Sequence, residues 1–571
     1  MDHNIKILIL YICILVLQSS SASAKDGSRT SKRKSKSQND KDSGKDNNEK
    51  RQPNIIFILV DDLGFNDVGY HGEGGSALTT PTIDRLAMEG VRLENYYVQP
   101  SCTPTRSQLM TGRYQIHTGM QHDNLAPSSP HCLPLKERTL AQALQSAGYS
   151  THAVGKWHLG YSFKECLPTR RGFHSYLGMV LGYSNHFDYT RKSSTALYFN
   201  ETPMKHVKRY STLLYTERAE EIIKYHQGKS KPPFFIFLSY QSQHSPLQVP
   251  SEYIQQYSNR IHNSKRQKYA AMLSAVDEGI NNITQTLVSA GLWQNTLLIF
   301  STDNGGRPKS GGINWPLRGE KSTLWEGGVR GVAFVTGPVL PTKVRGSVNK
   351  GLCHVSDWLP TLVRGVAKHS TKDHLPLDGF NLWRMISLGK PSPRKELLHN
   401  IDPLEGPTFW TFADEKIWGR LSDLPFNVTM RAAIRYGDWK LVTGHVGSSK
   451  WSPPPESLED ISQVVQKDRR LSSIRLFNIK QDPTENHDVA SRYHDIVMRL
   501  LRRLAEHQST AVKPLDHSLT LKHPKWNATM KSADRYWYEL PNAIVKTVGA
   551  WVPWRNTTLD YGAYTIGPVS Y

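Results

Sequence analysis

Long apolar runs are scarce in this sequence of 571 residues. Residues 7–17 form one such run, and no later stretch reaches the roughly 20 apolar residues that a transmembrane helix needs. Lys6 precedes the run and Ala22-Ser23-Ala24 follows it, which is the pattern of a signal peptide over residues 1–24. We therefore predict a protein of the secretory pathway without a membrane span; an uncleaved anchor is the alternative.

Cysteine is also scarce, with 5 in the chain. Cys13 lies in the predicted signal peptide, and two of the remaining four are expected to pair in an oxidising compartment. No Cys/His cluster suggests a zinc site, and internal repeats are absent. Glycosylation sequons agree with secretion. They begin at Asn200, Asn282, Asn427, Asn527 and Asn556.

Residues 25–52 contain almost nothing apolar, so this segment cannot bury enough surface to order itself. It is basic, with Lys32-Arg33-Lys34 at its centre, and the whole chain has a formal net charge of +21. Two interpretations stay open: a solvated, cleavable tail, or a segment drawn to anionic polysaccharide. A nuclear-localisation interpretation conflicts with the signal peptide, and no nucleic-acid partner is expected.

Polar side chains follow three apolar runs, at residues 55–60, 234–240 and 297–300. Continuous apolar runs are typical of strands buried on both faces, and helical patterns lie between them at 139–147, 216–225 and 267–290. Strands that alternate with helices predict an α/β fold with a mostly parallel sheet, in which ligands bind beyond the carboxyl ends of the strands. The side chains at these ends are Asp61, Asp62, Gln241, His244, Asp303 and Asn304.

The pattern changes near residue 426. Residues 432–436 and 439–443 flank Gly437-Asp438, a hairpin turn signal, and another short strand is predicted at 476–479. A helix is predicted at 496–505. We predict a smaller α+β domain with an antiparallel sheet over 426–510, and an irregular, aromatic-rich tail over 511–571 that packs on the body.

The segment Cys102-Thr-Pro-Thr-Arg106 continues to Thr111-Gly112-Arg113. It follows an extended stretch at 95–99, and Pro104 predicts that a helix opens there. Because helix N-termini favour anions, a side chain in this position would face an oxyanion. A buried or disulfide-bonded Cys102 is the alternative.

This segment resembles the signature of type I sulfatases, and the chain is most similar to the arylsulfatase B, I and J group over residues 53 to about 497. Other family motifs occur in order. They are Asp61-Asp62-Leu-Gly64, Gly155-Lys156-Trp157-His158, Gln241-Ser-Gln-His244, Asp303-Asn304-Gly-Gly306 and Leu317-Arg-Gly-Glu-Lys321. The resemblance implies an alkaline-phosphatase-like sulfatase fold, a large mixed, mostly parallel sheet flanked by helices, with the catalytic domain at 53–425.

The resemblance also implies a site. Cys102 would be oxidised to formylglycine by the formylglycine-generating enzyme, and its hydrated aldehyde would attack the sulfur atom. One Ca²⁺, or alternatively Mg²⁺, would be held by oxygen ligands. The implied metal ligands are Asp61, Asp62, residue 102, Asp303 and Asn304. The implied catalytic residues are Cys102, Arg106, Lys156, His158, His244 and Lys321.

The resemblance further implies roles for these side chains. Lys156 and Lys321 would bind the sulfate oxygens, and Arg106 would orient the aldehyde. His244, with Lys321, would protonate the leaving alcohol, after which His158 would remove the proton that lets sulfate leave.

The expected substrate is a sulfated sugar, such as N-acetylgalactosamine 4-sulfate of dermatan or chondroitin sulfate. The chain has fewer cysteines than the group usually carries, although Cys132 and Cys166 match a family disulfide pair. Two other functions stay open: a related phosphoesterase, whose nucleophile would be Ser or Thr, and a secreted polysaccharide-binding protein with a weak or dead site. Lysosomal and extracellular locations are not distinguished, nor is the oligomeric state.

Overall fold

The computed structural model describes residues 51–72, 77–228, 230–405, 412–453, 472–515 and 552–553. The strands are β1 (Asn54–Val60), β2 (Val91–Tyr97), β3 (Ser150–Gly155), β4 (Ser175–Met179), β5 (Thr190–Arg191), β6 (Ser194–Thr195), β7 (Leu197–Phe199), β8 (Thr202–Pro203), β9 (Phe234–Tyr240), β10 (Thr296–Thr302), β11 (Ala333–Thr336), β12 (Ser347–His354), β13 (Glu396–Asp402), β14 (Arg431–Tyr436), β15 (Trp439–Thr443) and β16 (Ile474–Asn478).

The α-helices lie between these strands and at the C-terminal end of the described chain. They are α1 (Pro81–Glu89), α2 (Cys102–Thr111), α3 (Gln115–Thr118), α4 (Leu140–Ser146), α5 (Ser211–Tyr225), α6 (Ser251–Gln255), α7 (Ser264–Ser289), α8 (Glu326–Val329), α9 (Trp358–Pro360), α10 (Trp383–Leu388), α11 (Phe412–Trp418) and α12 (His494–Ser509).

The larger sheet has 10 strands in the order β12-β2-β11-β10-β1-β9-β3-β4-β7-β8. Its centre is parallel, because β1 pairs in parallel with β10 and β9, and β9 pairs in parallel with β3. Successive residues of β1 point to opposite faces, and both faces are buried. Ile55 and Phe57 join one hydrophobic core, whereas Ile56 and Ile58 join the other. This two-sided burial explains the continuous apolar run in the sequence.

The predicted α/β fold is confirmed, and the three apolar runs form the neighbouring strands β10, β1 and β9. The helical patterns correspond to α4, α5 and α7. Thr139 caps α4 by accepting a hydrogen bond from the Gln142 amide, and Asn263 caps α7 in the same way. The sheet is mixed because β11 pairs antiparallel with both of its neighbours, and at the other edge β7 pairs antiparallel with β4 and with β8.

The second sheet has four antiparallel strands in the order β13-β14-β15-β16. The predicted hairpin is present, with Tyr436 opposite Trp439, and α12 packs its apolar face on the sheet through Val497, Leu500 and Leu504. β13 precedes residue 426, so the small sheet takes its first strand from a segment that the sequence pattern groups with the larger domain.

Cys132 and Cys166 form a disulfide, as the family resemblance implied, whereas Cys102 and Cys353 are free and buried. No helix within the described ranges is both long and apolar enough to cross a membrane. The predicted signal peptide, nearly all of the basic segment and most of the tail after residue 515 lie outside the described residues.

Candidate active site

Four adjacent parallel strands, β10, β1, β9 and β3, end at one edge of the larger sheet. Asp303 follows β10, Asp61 follows β1, Gln241 follows β9 and Lys156 follows β3. Backbone hydrogen bonds fix these ends to one another, since the Asp303 amide donates to Val60 O (3.2 Å) and the Lys156 amide donates to Ser239 O (2.8 Å). The sheet order therefore brings together residues that are far apart in the sequence.

Helix α2 carries Cys102 into this edge. The helix begins at Cys102 itself, two residues before the predicted start at Pro104, because Ser101 still has an extended backbone. Proline is tolerated at this point since the first-turn amides have no partner within the helix. Every residue of α2 is buried. Gly112 follows the helix as its C-terminal cap, and its φ of 67° is the left-handed conformation that favours glycine.

Two lysines contact the Cys102 thiol. Its Sγ lies 3.2 Å from Nζ of Lys156 and 3.4 Å from Nζ of Lys321, and it donates to Oδ1 of Asp61 at 3.4 Å. Burial, and then the nearby Asp303 and Asp61, raise the pKa of the thiol well above its ordinary value. The protonated thiol is therefore the favoured form of an unmodified Cys102, although cations lie beside it.

Three carboxylates surround the same point. Asp61, Asp62 and Asp303, together with the Cys102 Sγ, each offer a ligand atom within 4.8 Å of the others. Burial, and then the charge of Asp61, raise the pKa of Asp303 to about 6. Oδ1 of Asn304 is buried and accepts no hydrogen bond from any described residue, whereas its Nδ2 donates to Asp62. Hard oxygen donors converging in this way fit Ca²⁺ or Mg²⁺.

Asp62 is the carboxylate of this cluster that pairs with the second lysine. Lys321 pairs with Oδ1 of Asp62, and both side chains are nearly buried. Burial alone would raise the pKa of Asp62, but Lys321, with help from His244 and Lys156, outweighs it and holds the pKa well below its ordinary value. Burial alone would lower the pKa of Lys321, but Asp62, and then Cys102, Asp61 and Asp303, keep it above its ordinary value. Both groups are therefore charged.

Arg106 pairs with Asp303 of this cluster and links it to the neighbouring strands. Its side chain is fully buried, and Nη2 pairs with Oδ2 of Asp303 at 2.9 Å. Nη1 donates to Oγ of Ser239 at 2.6 Å and to the Lys156 carbonyl at 3.0 Å. The guanidinium thus ties α2 to the ends of β3, β9 and β10.

His158 is buried beside α2, where the Thr103 hydroxyl donates to its carbonyl oxygen. Its Nε2 donates to Leu125 O at 3.2 Å, while Nδ1 is buried without a hydrogen-bond partner in the described chain. Burial, then Lys156 and Arg106, lower the pKa of His158 well below its ordinary value. The imidazole is neutral, with a lone pair available on Nδ1.

His244 belongs to a polar turn after β9. Its Nδ1 donates to Ser245 O at 2.6 Å, which leaves Nε2 at 3.9 Å from Oδ2 of Asp62. Burial, and then Lys321, lower the pKa of His244 to about 3, while Asp62 opposes this shift. An anion bound between His244 and Lys321 would favour the imidazolium.

All ten predicted site residues line this one edge of the sheet. Sequence reasoning missed Ser239, which holds Arg106, and Tyr183, whose ring stacks on His244 with centroids 5.5 Å apart. A polar residue inside the apolar run of β9 was a signal for Ser239. Nothing in the local sequence marked Tyr183, because the chain reaches His244 from a distant loop.

Residues 53–365 match the sulfatase family, so the chain belongs to that family and is a sulfuric ester hydrolase. Arylsulfatase J of Mus musculus is 46% identical over 473 residues, which cover 81% of this chain and 76% of the relative. Arylsulfatase A of Homo sapiens is 32% identical over 372 residues, or 61% of this chain and 70% of that protein.

Solved structures agree with this assignment. The crystal structure of Ps i-CgsB in complex with k-i-k-neocarrahexaose superposes with a TM-score of 0.66 at 25% identity, covering 88% of this chain and 100% of that one. The PsFucS1 sulfatase from Pseudoalteromonas sp. has a TM-score of 0.60 at 24% identity, covering 81% and 90%. The latter comparison supports the fold.

Proposed function

We propose that this sulfatase hydrolyses sulfate esters of carbohydrates through formylglycine at position 102 and one bound divalent cation. The observation that carries the proposal is the placement of Cys102. It begins a buried helix, contacts two lysines and lies within a cluster of three carboxylates. The Sγ of Cys102 would mark the position that the oxygens of the hydrated aldehyde take.

The metal ligands of this proposal are the described oxygen donors. Asp61, Asp62, Asp303, Asn304 and residue 102 would hold the ion, with Ca²⁺ preferred and Mg²⁺ as the alternative. The unpartnered Oδ1 of Asn304 supports this set. When bound, the cation would polarise a sulfate oxygen and stabilise the negative charge that grows in the transition state.

The cations of the site would bind the sulfate group. Lys156 and Lys321 both approach residue 102 within 3.4 Å, so they would hold the sulfate oxygens beside it. Arg106 would fix residue 102 and Asp303 in one geometry. The hydrated aldehyde supplies a nucleophilic oxygen and can release sulfate when its carbonyl re-forms, which a serine cannot do.

The two histidines would move protons. His244, with the charged Lys321, would donate a proton to the leaving alcohol from the Nε2 side, because Nδ1 is committed to Ser245 O. His158 would accept a proton at Nδ1, since Nε2 donates to Leu125 O. In each ring one nitrogen is hydrogen-bonded to a backbone carbonyl, so the other nitrogen would exchange the proton.

The proposed substrate is a sulfated sugar, with N-acetylgalactosamine 4-sulfate of dermatan or chondroitin sulfate as the first compound to test. Relatives support the substrate class, a sulfated sugar, and not the position of the sulfate. N-acetylgalactosamine-6-sulfatase of Homo sapiens is 28% identical over 392 residues, and Ps i-CgsB was crystallised with an oligosaccharide. The Cys132–Cys166 disulfide supports maturation in the secretory pathway, where the formylglycine-generating enzyme would be the partner.

The test is a mass measurement of the peptide that contains residue 102, combined with the Cys102→Ser variant. We expect the wild-type peptide to be lighter than its cysteine form, and Cys102→Ser to fold with the same thermal stability and no sulfatase turnover. Sulfatase activity within about tenfold of wild type in the serine variant would refute the mechanism. Fully unmodified Cys102 would favour a polysaccharide-binding protein, and phosphodiester cleavage by the serine variant would favour a phosphoesterase.

A further inference from the structure

The segment between β4 and the end of β5 packs against both catalytic histidines. A Cβ added to Gly182 would lie 2.5 Å from Nε2 of His158, so the backbone rests directly on that ring. His186 and the backbone oxygen of His244 are joined by a hydrogen bond of 3.0 Å. In addition, Nε2 of Gln241 donates to Ser184 O at 2.7 Å. The segment therefore contacts the site residues directly.

Tyr183 is the residue of this segment whose ring stacks on the imidazole of the proposed acid. Its ring is nearly parallel to the His244 imidazole, at an interplanar angle of 13° and a centroid separation of 5.5 Å. The guanidinium carbon of Arg191 lies 3.9 Å from the Tyr183 centroid, a cation–π contact. Tyr183 is 40% exposed, so these two ring contacts, rather than core packing, hold it beside His244.

The His244 ring needs such a contact. One hydrogen bond from Nδ1 to Ser245 O fixes one atom of the imidazole but not the plane of the ring. Stacking on a second ring fixes the plane, and with it the direction of Nε2. Proton transfer to a leaving oxygen requires Nε2 to be aligned with that oxygen, and a misplacement of about 1 Å can cost about a hundredfold in rate.

We propose that Tyr183, held by Arg191, is a positioning residue that orients His244 toward the leaving oxygen of the substrate. The proposal rests on the role of His244 as the acid in the proposed function. It assigns to the 182–191 segment an influence on which sulfate esters are cleaved. Sugar alcohols are poor leaving groups and depend on protonation, whereas nitrocatechol leaves with little help.

The experiment compares kcat for nitrocatechol sulfate with kcat for N-acetylgalactosamine 4-sulfate in Tyr183→Leu, Tyr183→Phe and Arg191→Gln. We expect Tyr183→Leu to lower kcat for the sugar sulfate by about ten- to a hundredfold and kcat for the aryl sulfate by less than about threefold. Tyr183→Phe keeps the stacked ring and should retain both rates. Arg191→Gln should show the same selective loss more weakly.

Phe187→Leu is the matched control. Phe187 belongs to the same segment and is also 40% exposed, but its ring packs against Tyr210 instead of His244. It should leave both rates unchanged. Equal losses on the two substrates in Tyr183→Leu, a change confined to KM, or no loss at all would overturn the positioning role.

His244→Ala separates this inference from the proposed function. If His244→Ala lowers both rates equally, His244 is not the acid. The proposed function is then wrong about the proton donor, and the positioning role of Tyr183 is lost with it. If His244→Ala is selective for the sugar sulfate and Tyr183→Leu is not, only the positioning role fails. Thermal unfolding shows whether each variant folds. If Tyr183→Leu does not fold, Arg191→Gln serves as the test.

Discussion

Ser239 shows how one side chain can decide the geometry of this site. It is fully buried in β9, and its Oγ accepts a hydrogen bond from Nη1 of Arg106 at 2.6 Å. Arg106 in turn holds Asp303. A hydroxyl inside an apolar strand is costly to bury unless it is paired, and here its partner is a charged group.

We predict that Ser239→Ala weakens both stability and turnover. The change leaves an Arg106 N–H without its buried acceptor, which costs about 1–3 kcal/mol. Because Ser239 lies outside the segment around Cys102, conversion of the cysteine should be unaffected, and the mass of that peptide is the control. Chemical denaturation and kcat on nitrocatechol sulfate measure the two effects. Unchanged kcat would show that Arg106 keeps its position without this contact.

A second residue-scale prediction concerns the carboxylate cluster. We expect one divalent ion per chain, most readily Ca²⁺, and we expect its removal by a chelator to lower the thermal unfolding temperature because three buried carboxylates then repel one another. Asp62→Asn should bind the ion more weakly. Elemental analysis together with thermal unfolding provides the measurement, and stoichiometric zinc or an active metal-free protein would contradict the prediction.

At the scale of elements, sequence patterns predicted what is local. The apolar runs of β1, β9 and β10 and the helices α5 and α7 could be predicted because periodicity and burial act over a few residues. The antiparallel direction of β11 could not, since a short apolar run such as residues 333–336 does not encode direction. The membership of β13 in the small sheet and the contact of Tyr183 with His244 depend on pairing between distant segments.

The contact between β13 and α12 gives a prediction for pH. Glu396 accepts hydrogen bonds from Arg503 and His507, and these outweigh the effect of burial and lower the pKa of Glu396 to about 2. A depressed carboxylate pKa stabilises the fold above the ordinary value of 4.5, and this contribution is lost as the pH falls toward 2. Wild type should therefore exceed Glu396→Gln in stability at about pH 5 by more than at about pH 3.

Urea unfolding of both proteins at the two pH values measures this difference. Glu415→Gln is the control, because Glu415 is exposed on α11 and should give a difference that does not change with pH in this way. A Glu396→Gln difference that is constant or grows on acidification would contradict the assignment.

At the scale of the whole molecule, one hydrophobic cluster contains residues from both sheets. Tyr97 and Trp325 from the larger part pack with Ala433, Val442 and Phe477 of the small sheet. Within the same interface, Nζ of the fully buried Lys440 lies 2.9 Å from carboxylate oxygens of both Glu326 and Glu485. Burial raises the pKa of Glu485 to about 7, while Lys440 opposes that shift.

We predict that Lys440→Met destabilises both sheets together. Removing the cation leaves two carboxylates buried without their partner, which costs about 3–5 kcal/mol. Calorimetry should show one transition, shifted to lower temperature, with tryptophan fluorescence and circular dichroism changing at the same point. The exposed Lys395→Met is the control. Separate transitions for the two sheets would show that the interface does not couple them.

The burial of α2 limits when the proposed oxidation of Cys102 could occur relative to folding. Cys102 is 1% exposed, and every residue of its helix is covered by other parts of the chain. Once the chain has folded, an enzyme has no access to the thiol. The proposed oxidation would therefore have to occur before β1, β9 and β10 assemble around Cys102. Under this proposal, a molecule that folds first would keep its cysteine and remain inactive.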